Sequence, residues 1–238
     1  MNQLKKGIWA TPLEKVRNLD MPSDAININV EGREPTAPHQ GFGRMWLRTY
    51  RISIPSDKIN PAGLMTFWKE KFSALWPPGN SFFTSPSGIQ PGEVGLINLS
   101  MPGGLKLATG AVIMYVDENS FSLMTVQGHM FSGWITFSCY SDGGNTYAQT
   151  QALIRPNDLL YELSFIFGFG PKSEDVFWHQ ILKNIASNYQ VRSEVEQTVQ
   201  LIDSRIQWNN FSNLWYNAGV RSGIYLITSP FRKLFQKK

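Results

Sequence analysis

The chain of 238 residues contains a single cysteine, Cys139, which excludes an internal disulfide framework and every paired-cysteine metal or redox motif. Charge is also scarce. Asp, Glu, Lys and Arg make up 17% of residues, against about 25% in ordinary soluble domains. No acidic residue follows Asp203. The N-terminus has Lys5 and Lys6 with no apolar run behind them, so no secretory leader is expected and a cytoplasmic location is the default. Asn98-Leu99-Ser100 and Asn210-Phe211-Ser212 match the glycosylation pattern, which we read as coincidence in a chain with no secretory signal.

At 42% hydrophobic residues, a sizeable core is available, and this excludes general disorder and fibrous classes. The length suits one domain with extensions, or at most two small domains. The charge shortage is concentrated between Glu118 and Asp142, where 23 consecutive residues carry none. About 20 would span a bilayer. This stretch nevertheless contains Asn119, Ser120, Gln127, His129, Ser132 and Ser138, and parts of it alternate with period two. Two strands around a Gly128-His129 turn account for it better than a membrane helix does.

Residues 1–42 are polar and broken by Pro12, Pro22, Pro35 and Pro38, and read as an N-terminal arm with one β-like run, Ile26–Val30. Arg44–Ile54 reads as a strand. A helix then starts at Asn60 (cap) and Pro61, with Leu64, Met65, Trp68, Phe72, Leu75 and Trp76 on an arc of roughly 120°. Five strands follow as a meander: Glu93–Met101, Leu107–Val116, Ser120–Val126, Phe131–Tyr140 and Thr146–Arg155, separated by Gly-, Pro- and Asx-rich turns. Phe131, Gly133, Ile135, Phe137 and Cys139 share one strand face, and Trp134 and Tyr140 the other. Asn157 is expected to cap a short helix ending near Gly168. Ser173 is expected to cap a long one whose apolar half carries Phe177, Trp178, Ile181, Leu182, Ile185, Ala186 and Tyr189. The remaining 48 residues, 191–238, read as a C-terminal aromatic and basic extension, with a narrow helical stripe at Val195, Val199, Ile202 and Ile206.

The order strand, helix, antiparallel meander, long helix resembles the helix-grip fold of the START-like (SRPBCC) superfamily. Gly128–Phe137, the following turn and strand, Arg155-Pro156 and the final helix are similar to an uncharacterised bacterial branch of it. The resemblance covers about 43–190 and is one of pattern. It implies an α+β fold in which a curved antiparallel sheet of six to seven strands grips the long helix. Six strands are counted, and Ile26–Val30 or Ser81–Thr84 is the expected source of a seventh. It further implies a hydrophobic small molecule or lipid held between sheet and helix, as in the carriers and polyketide cyclases of the superfamily. Tyr115, Trp134, Phe137, Tyr147, Trp178 and Ile181 are the expected ligand-binding residues. No catalytic residue carries over from the family.

Chemistry is sparse in the residues themselves. His39, His129 and His179 show no metal-ligand spacing, and no nucleotide-binding loop or nucleophile elbow is present, so no metal and no cofactor is expected. Cys139 lies on an apolar strand face and reads as a buried, inert thiol. His129, in a turn between two apolar strands, is the candidate acid or base of a polyketide or terpenoid cyclase or isomerase; the plainer reading is that it serves the turn backbone. Arg221, Arg232, Lys233, Lys237 and Lys238 place the chain's net +4 in the tail. Without a basic stripe through the body, nucleic acid is not expected as a partner. The tail, 221–238, leaves open a peripheral contact with an anionic membrane or docking on a partner, and homo-oligomerisation is equally open. Ligand carriage, enzymatic turnover and docking are thus three separate expectations.

Overall fold

The computed structural model describes residues 8–16, 28–101 and 106–235. One antiparallel sheet of eight strands contains β1 (Met45–Pro55), β2 (Ser81–Phe83), β3 (Val94–Ser100), β4 (Lys106–Val116), β5 (Ser120–Thr125), β6 (Phe131–Asp142), β7 (Asn145–Pro156) and β8 (Glu196–Asp203). Their spatial order is β2-β3-β4-β5-β6-β7-β1-β8. Among the described residues four α-helices accompany it: α1 (Pro61–Lys71), α2 (Leu159–Ile166), α3 (Phe169–Asn188) and α4 (Ala218–Phe235). The fold is α+β, with the curved sheet gripping α3. The strand count is eight rather than six to seven. Ser81–Phe83 supplies one of the additional strands, while Ile28–Val30 forms a turn and Ile26 and Asn27 lie outside the described residues.

The other additional strand corrects a sequence expectation. Val195, Val199, Ile202 and Ile206 have helical spacing, yet Glu196–Asp203 pairs antiparallel with β1. The β1 edge offers a full row of backbone partners, and pairing of that kind overrides a weak local periodicity. The start of α3 also differs. The helix begins at Phe169, directly after Gly168 in the left-handed region (φ 77°), and Ser173 instead bonds back to Phe169 O at 3.0 Å. Pro171 is tolerated because the first-turn N–H groups have no helical partner to lose. Asn60 caps α1 as expected, accepting from Gly63 N at 2.8 Å, and Asp158 rather than Asn157 caps α2.

The inner face of the sheet carries the main core. Phe137 is fully buried and packs its ring against Trp68, Phe72, Phe121 and Trp178 at centroid distances of 5.3, 5.2, 4.6 and 5.6 Å. Ile181, Leu182 and Ile185 of α3 close over the same cluster. The outer face is covered as well. Val16 and Val30 of the N-terminal segment join Val94, Leu96, Val112 and Val126 in a second core, and Trp9 and Pro35 bridge to Tyr115 and Val126. In the uncharged stretch between Glu118 and Asp142 the inner-face residues are largely buried, while the outer face is mainly polar but uncharged and only partly covered.

Large aromatic side chains remove more apolar area from water than any others in such a cluster, so they contribute most to its stability. Phe137→Ala should cost about 3–5 kcal/mol in urea unfolding, whereas Trp134→Ala, on the outer face and 37% exposed, should cost about 1 kcal/mol. Equal losses at the two positions would contradict the assignment of faces.

Candidate functional site

Alternation along β1 sends Trp46, Arg48, Tyr50, Ile52 and Ile54 to the inner face, so one guanidinium lies among apolar side chains. Its partners come from Tyr50 on the same strand and from Glu174 and Asp175 of α3. Arg48 Nε donates to Tyr50 Oη at 2.9 Å, and Arg48 Nη2 donates to Asp175 Oδ1. Asp175 Oδ1 also accepts from Tyr50 Oη at 2.8 Å and from Gln197 Nε2 at 2.7 Å. Gln197 Oε1 lies 3.1 Å from His179 Nε2, so the network runs from a buried arginine to the surface. The Phe165 ring of α2 covers Arg48 at 5.7 Å and sits 6.3 Å from Trp46.

Glu174 is the unusual member. Its Oε2 lies 3.1 Å from Arg48 Nε, but that N–H is directed to Tyr50, so the oxygen is ion-paired without a hydrogen bond. Burial pushes the carboxyl up to about 7, opposed by Arg48, reinforced by Asp175 and opposed again by a hydrogen bond from Trp178. Burial and Glu174 also raise Tyr50 far above the usual phenol range. For Arg48, burial alone would lower the pKa, but Glu174, Tyr50 and Asp175 outweigh it. Trp46 Nε1 and Thr150 Oγ1 are buried without partners too, and Thr150 stands directly across from Tyr50. Two buried polar atoms without a partner, Trp46 Nε1 and Thr150 Oγ1, therefore share the inner face with an ion pair whose carboxylate oxygen, Glu174 Oε2, makes no hydrogen bond.

The expected ligand-binding residues divide between the two faces. Phe137, Trp178 and Ile181 come together inside the grip. Tyr115, Trp134 and Tyr147 lie on the outer face. Tyr115 would follow Ile113 inward by simple alternation, but a register shift between Ile113 and Tyr115 turns it outward. It packs on Trp9 at 4.5 Å and donates to Asp117 at 2.5 Å. Tyr147 stacks on Tyr140 at 5.3 Å, with the Arg51 guanidinium 5.7 Å away.

His129 is buried at the β5–β6 turn, where its Nδ1 accepts from Phe131 N at 3.0 Å. Burial holds it down at about 4, so the ring is neutral at physiological pH. Gly128, at φ 91°, lets the turn approach the C-terminal segment; a Cβ there would lie 2.1 Å from Tyr216 O. Cys139 is buried and its thiol is pushed up to about 12. Among the described residues no three His, Cys, Asp or Glu side chains group as metal ligands, and no helix is long and apolar enough to cross a membrane.

Sequence reasoning misses the Arg48–Glu174 pair, although a signal exists. Arg48 interrupts the apolar side of β1, and Glu174 sits on the Trp178, Ile181, Ile185 line of α3. A charge on each of two apolar faces is the sequence mark of a buried pair.

No protein-family model matches the chain, and no curated protein matches it in sequence. Solved structures do resemble it. Protein Ms6760 from Mycobacterium smegmatis is 16% identical with a TM-score of 0.44, over 60% of this chain and 90% of that one. The di-domain ARO/CYC StfQ from the steffimycin biosynthetic pathway is 8% identical with a TM-score of 0.47, over 62% and 51%. Ara h 8.0201 is 13% identical with a TM-score of 0.45, over 60% and 98%.

Glu174 and His129 should give opposite pH dependences. Between 4.5 and about 7 the folded chain holds the Glu174 proton more tightly than the unfolded chain, so that contribution falls as pH rises. Between about 4 and 6.5 the folded chain resists protonating His129, so that contribution grows as pH rises. The two offset each other in the wild type. Glu174→Gln should expose a stability that climbs by roughly 3 kcal/mol across the His129 window, and His129→Asn the falling counterpart. Urea unfolding at several pH values checks this, and three parallel profiles would refute it.

Proposed function

We propose that the protein binds and carries a hydrophobic small molecule or lipid in the grip, with the ligand's polar group at the Arg48 end. The observation that carries this reading is the pair of buried, unpartnered polar atoms Trp46 Nε1 and Thr150 Oγ1 on the face that carries Arg48 and Tyr50, together with Glu174 Oε2, which is ion-paired to Arg48 but makes no hydrogen bond. A hydroxyl on the ligand supplies what they lack, accepting from Trp46 Nε1 or Thr150 Oγ1 and donating to Glu174 Oε2. Phe137, Trp178 and Ile181 border its apolar body. The deep part of the grip is filled by Trp68, Phe72 and Phe121, so the ligand occupies the part bounded by Phe165 and the half-buried Trp178.

A second reading, an isomerase or cyclase, is favoured by one observation. Glu174 titrates near neutrality, as a general acid or base must. On this reading Glu174, rather than the neutral and turn-bound His129, moves the proton.

Native mass spectrometry of the protein purified from its host should show a bound hydrophobic mass that is released on denaturation. Thr150→Val should lose that mass while gaining up to about 1 kcal/mol of stability when empty, because it removes an unpaired buried hydroxyl. A protein that always purifies empty, with Thr150→Val neutral in both respects, would sink the proposal. Turnover that Glu174→Gln abolishes while ligand is retained would select the enzyme.

A further inference from the structure

Helix α4 is packed on one side only. Ala218 and Ser222 are buried against β4, where Ser222 Oγ accepts from Ala108 N at 3.0 Å and from Asn29 Nδ2 at 3.1 Å. The opposite side is apolar and uncovered: Val220, Ile224 and Ile227 are 47%, 55% and 72% exposed and follow one another at helical spacing. A continuous apolar stripe on a surface helix marks something that covers it.

The charges beside the stripe indicate what that cover is. A surface depression of about 390 Å³ is lined by Ile28, Arg221, Ile224 and Tyr225. Arg221 Nε donates to Asn29 Oδ1 at 3.0 Å, which fixes the guanidinium at the edge of the stripe. Arg33 lies over the Tyr216 ring at 5.0 Å, and burial together with the nearby Arg221 lowers its pKa, so two like charges are held close together. The sequence then adds Arg232, Lys233, Lys237 and Lys238, with no acid after Asp203. Trp208 and Trp215, in the 3-10 segment Trp208–Tyr216 before α4, are 68% and 76% exposed. An apolar helical stripe with Arg221 at its edge, further cations in the sequence that follows and exposed tryptophans in the segment before it has the chemistry of a helix lying in the surface of an anionic bilayer. A second copy would bring the same cations against each other.

We propose that α4 docks this protein on an anionic lipid bilayer, with Ile224 and Ile227 entering the acyl boundary and Arg221 level with the phosphates. The test reads binding to the surface without reference to any cargo, so its result is independent of what the grip holds. Full-length protein is sedimented with vesicles of phosphatidylcholine alone and of phosphatidylcholine containing about 30% phosphatidylglycerol. Binding to the anionic vesicles should be roughly tenfold stronger and should weaken as salt is raised. Ile224→Asp with Ile227→Asp should abolish it with an unchanged thermal melt, and Lys233→Glu should weaken it on the anionic vesicles alone. Should the double variant fold poorly, Ile227→Ser decides the same question. The proposal is overturned if the wild type stays in the supernatant with anionic vesicles or if the variants sediment like wild type. It is also overturned if light scattering shows a dimer that the double substitution splits, which would give the stripe to a second copy.

Discussion

A guanidinium on the apolar face of a strand is a demand the rest of the chain must meet. Arg48 is 3% exposed, and an unpaired charge at that depth costs several kcal/mol. The demand fixes the position of α3, because Glu174 and Asp175 must both reach Arg48. It also gives β8 a reason to sit beside β1, because Gln197 completes the coordination of Asp175. Replacing such a node with well-packed apolar residues is often neutral or stabilising. With a carboxyl oxygen that makes no hydrogen bond, this node contributes less to stability than its ion pairs alone suggest.

A second arginine anchors the C-terminal segment in the same way. Arg155 is 1% exposed; its Nη2 donates to Asp203 at 2.8 Å, and its Nη1 donates to Gly43 O at 2.5 Å and Arg205 O at 2.7 Å. Asp203 is held well below the usual carboxylate range by hydrogen bonds from Arg205 and Arg155. Residues that read as an appendage therefore neutralise a charge inside the body. The chain continues across Phe42, which meets Trp208 at 5.3 Å and Phe211 at 6.1 Å, and Ala218 N then bonds Gly128 O at 2.9 Å in the His129 turn. Local pattern does not reveal this, because each contact joins residues far apart in the chain or depends on an edge left open by the rest of the sheet.

The meander from β3 to β7 is legible almost residue by residue, because alternation and turn chemistry are local and agree with each other. Helix α1 is legible for the same reason: Asn60 and Pro61 fix its start whatever surrounds it. The site is only half legible. Phe137 and Ile181 follow from parity and helical spacing, but Tyr115 does not, since a one-residue shift in register reverses every side chain beyond it. The strand at Glu196–Asp203 is hidden because its residues satisfy a helical stripe and an edge strand equally well. Arg48 and Glu174 carry a readable sign, a charge on each of two apolar faces, but pairing them requires knowing that the two faces meet.

The packed interior and the unpartnered polar atoms set limits on each other. Trp68, Phe72, Phe121 and Phe137 make edge-to-face and stacked contacts throughout the deep end of the grip, and such an interior opens only at the cost of several kcal/mol. The Arg48 end is different: its walls are Phe165, Trp46 and Trp178, of which the last two are only half-buried. Opening there separates fewer apolar contacts and gives Glu174, Thr150 and Trp46 the partners they lack. Trp68 Nε1 and Trp76 Nε1 lack partners in the aromatic cluster as well, so on the proposed ligand reading it is the looser packing that favours a guest at the Arg48 end. On the same reading a guest with a hydroxyl is favoured over a plain hydrocarbon, since a hydrocarbon would leave Trp46 Nε1, Thr150 Oγ1 and Glu174 Oε2 without hydrogen bonds.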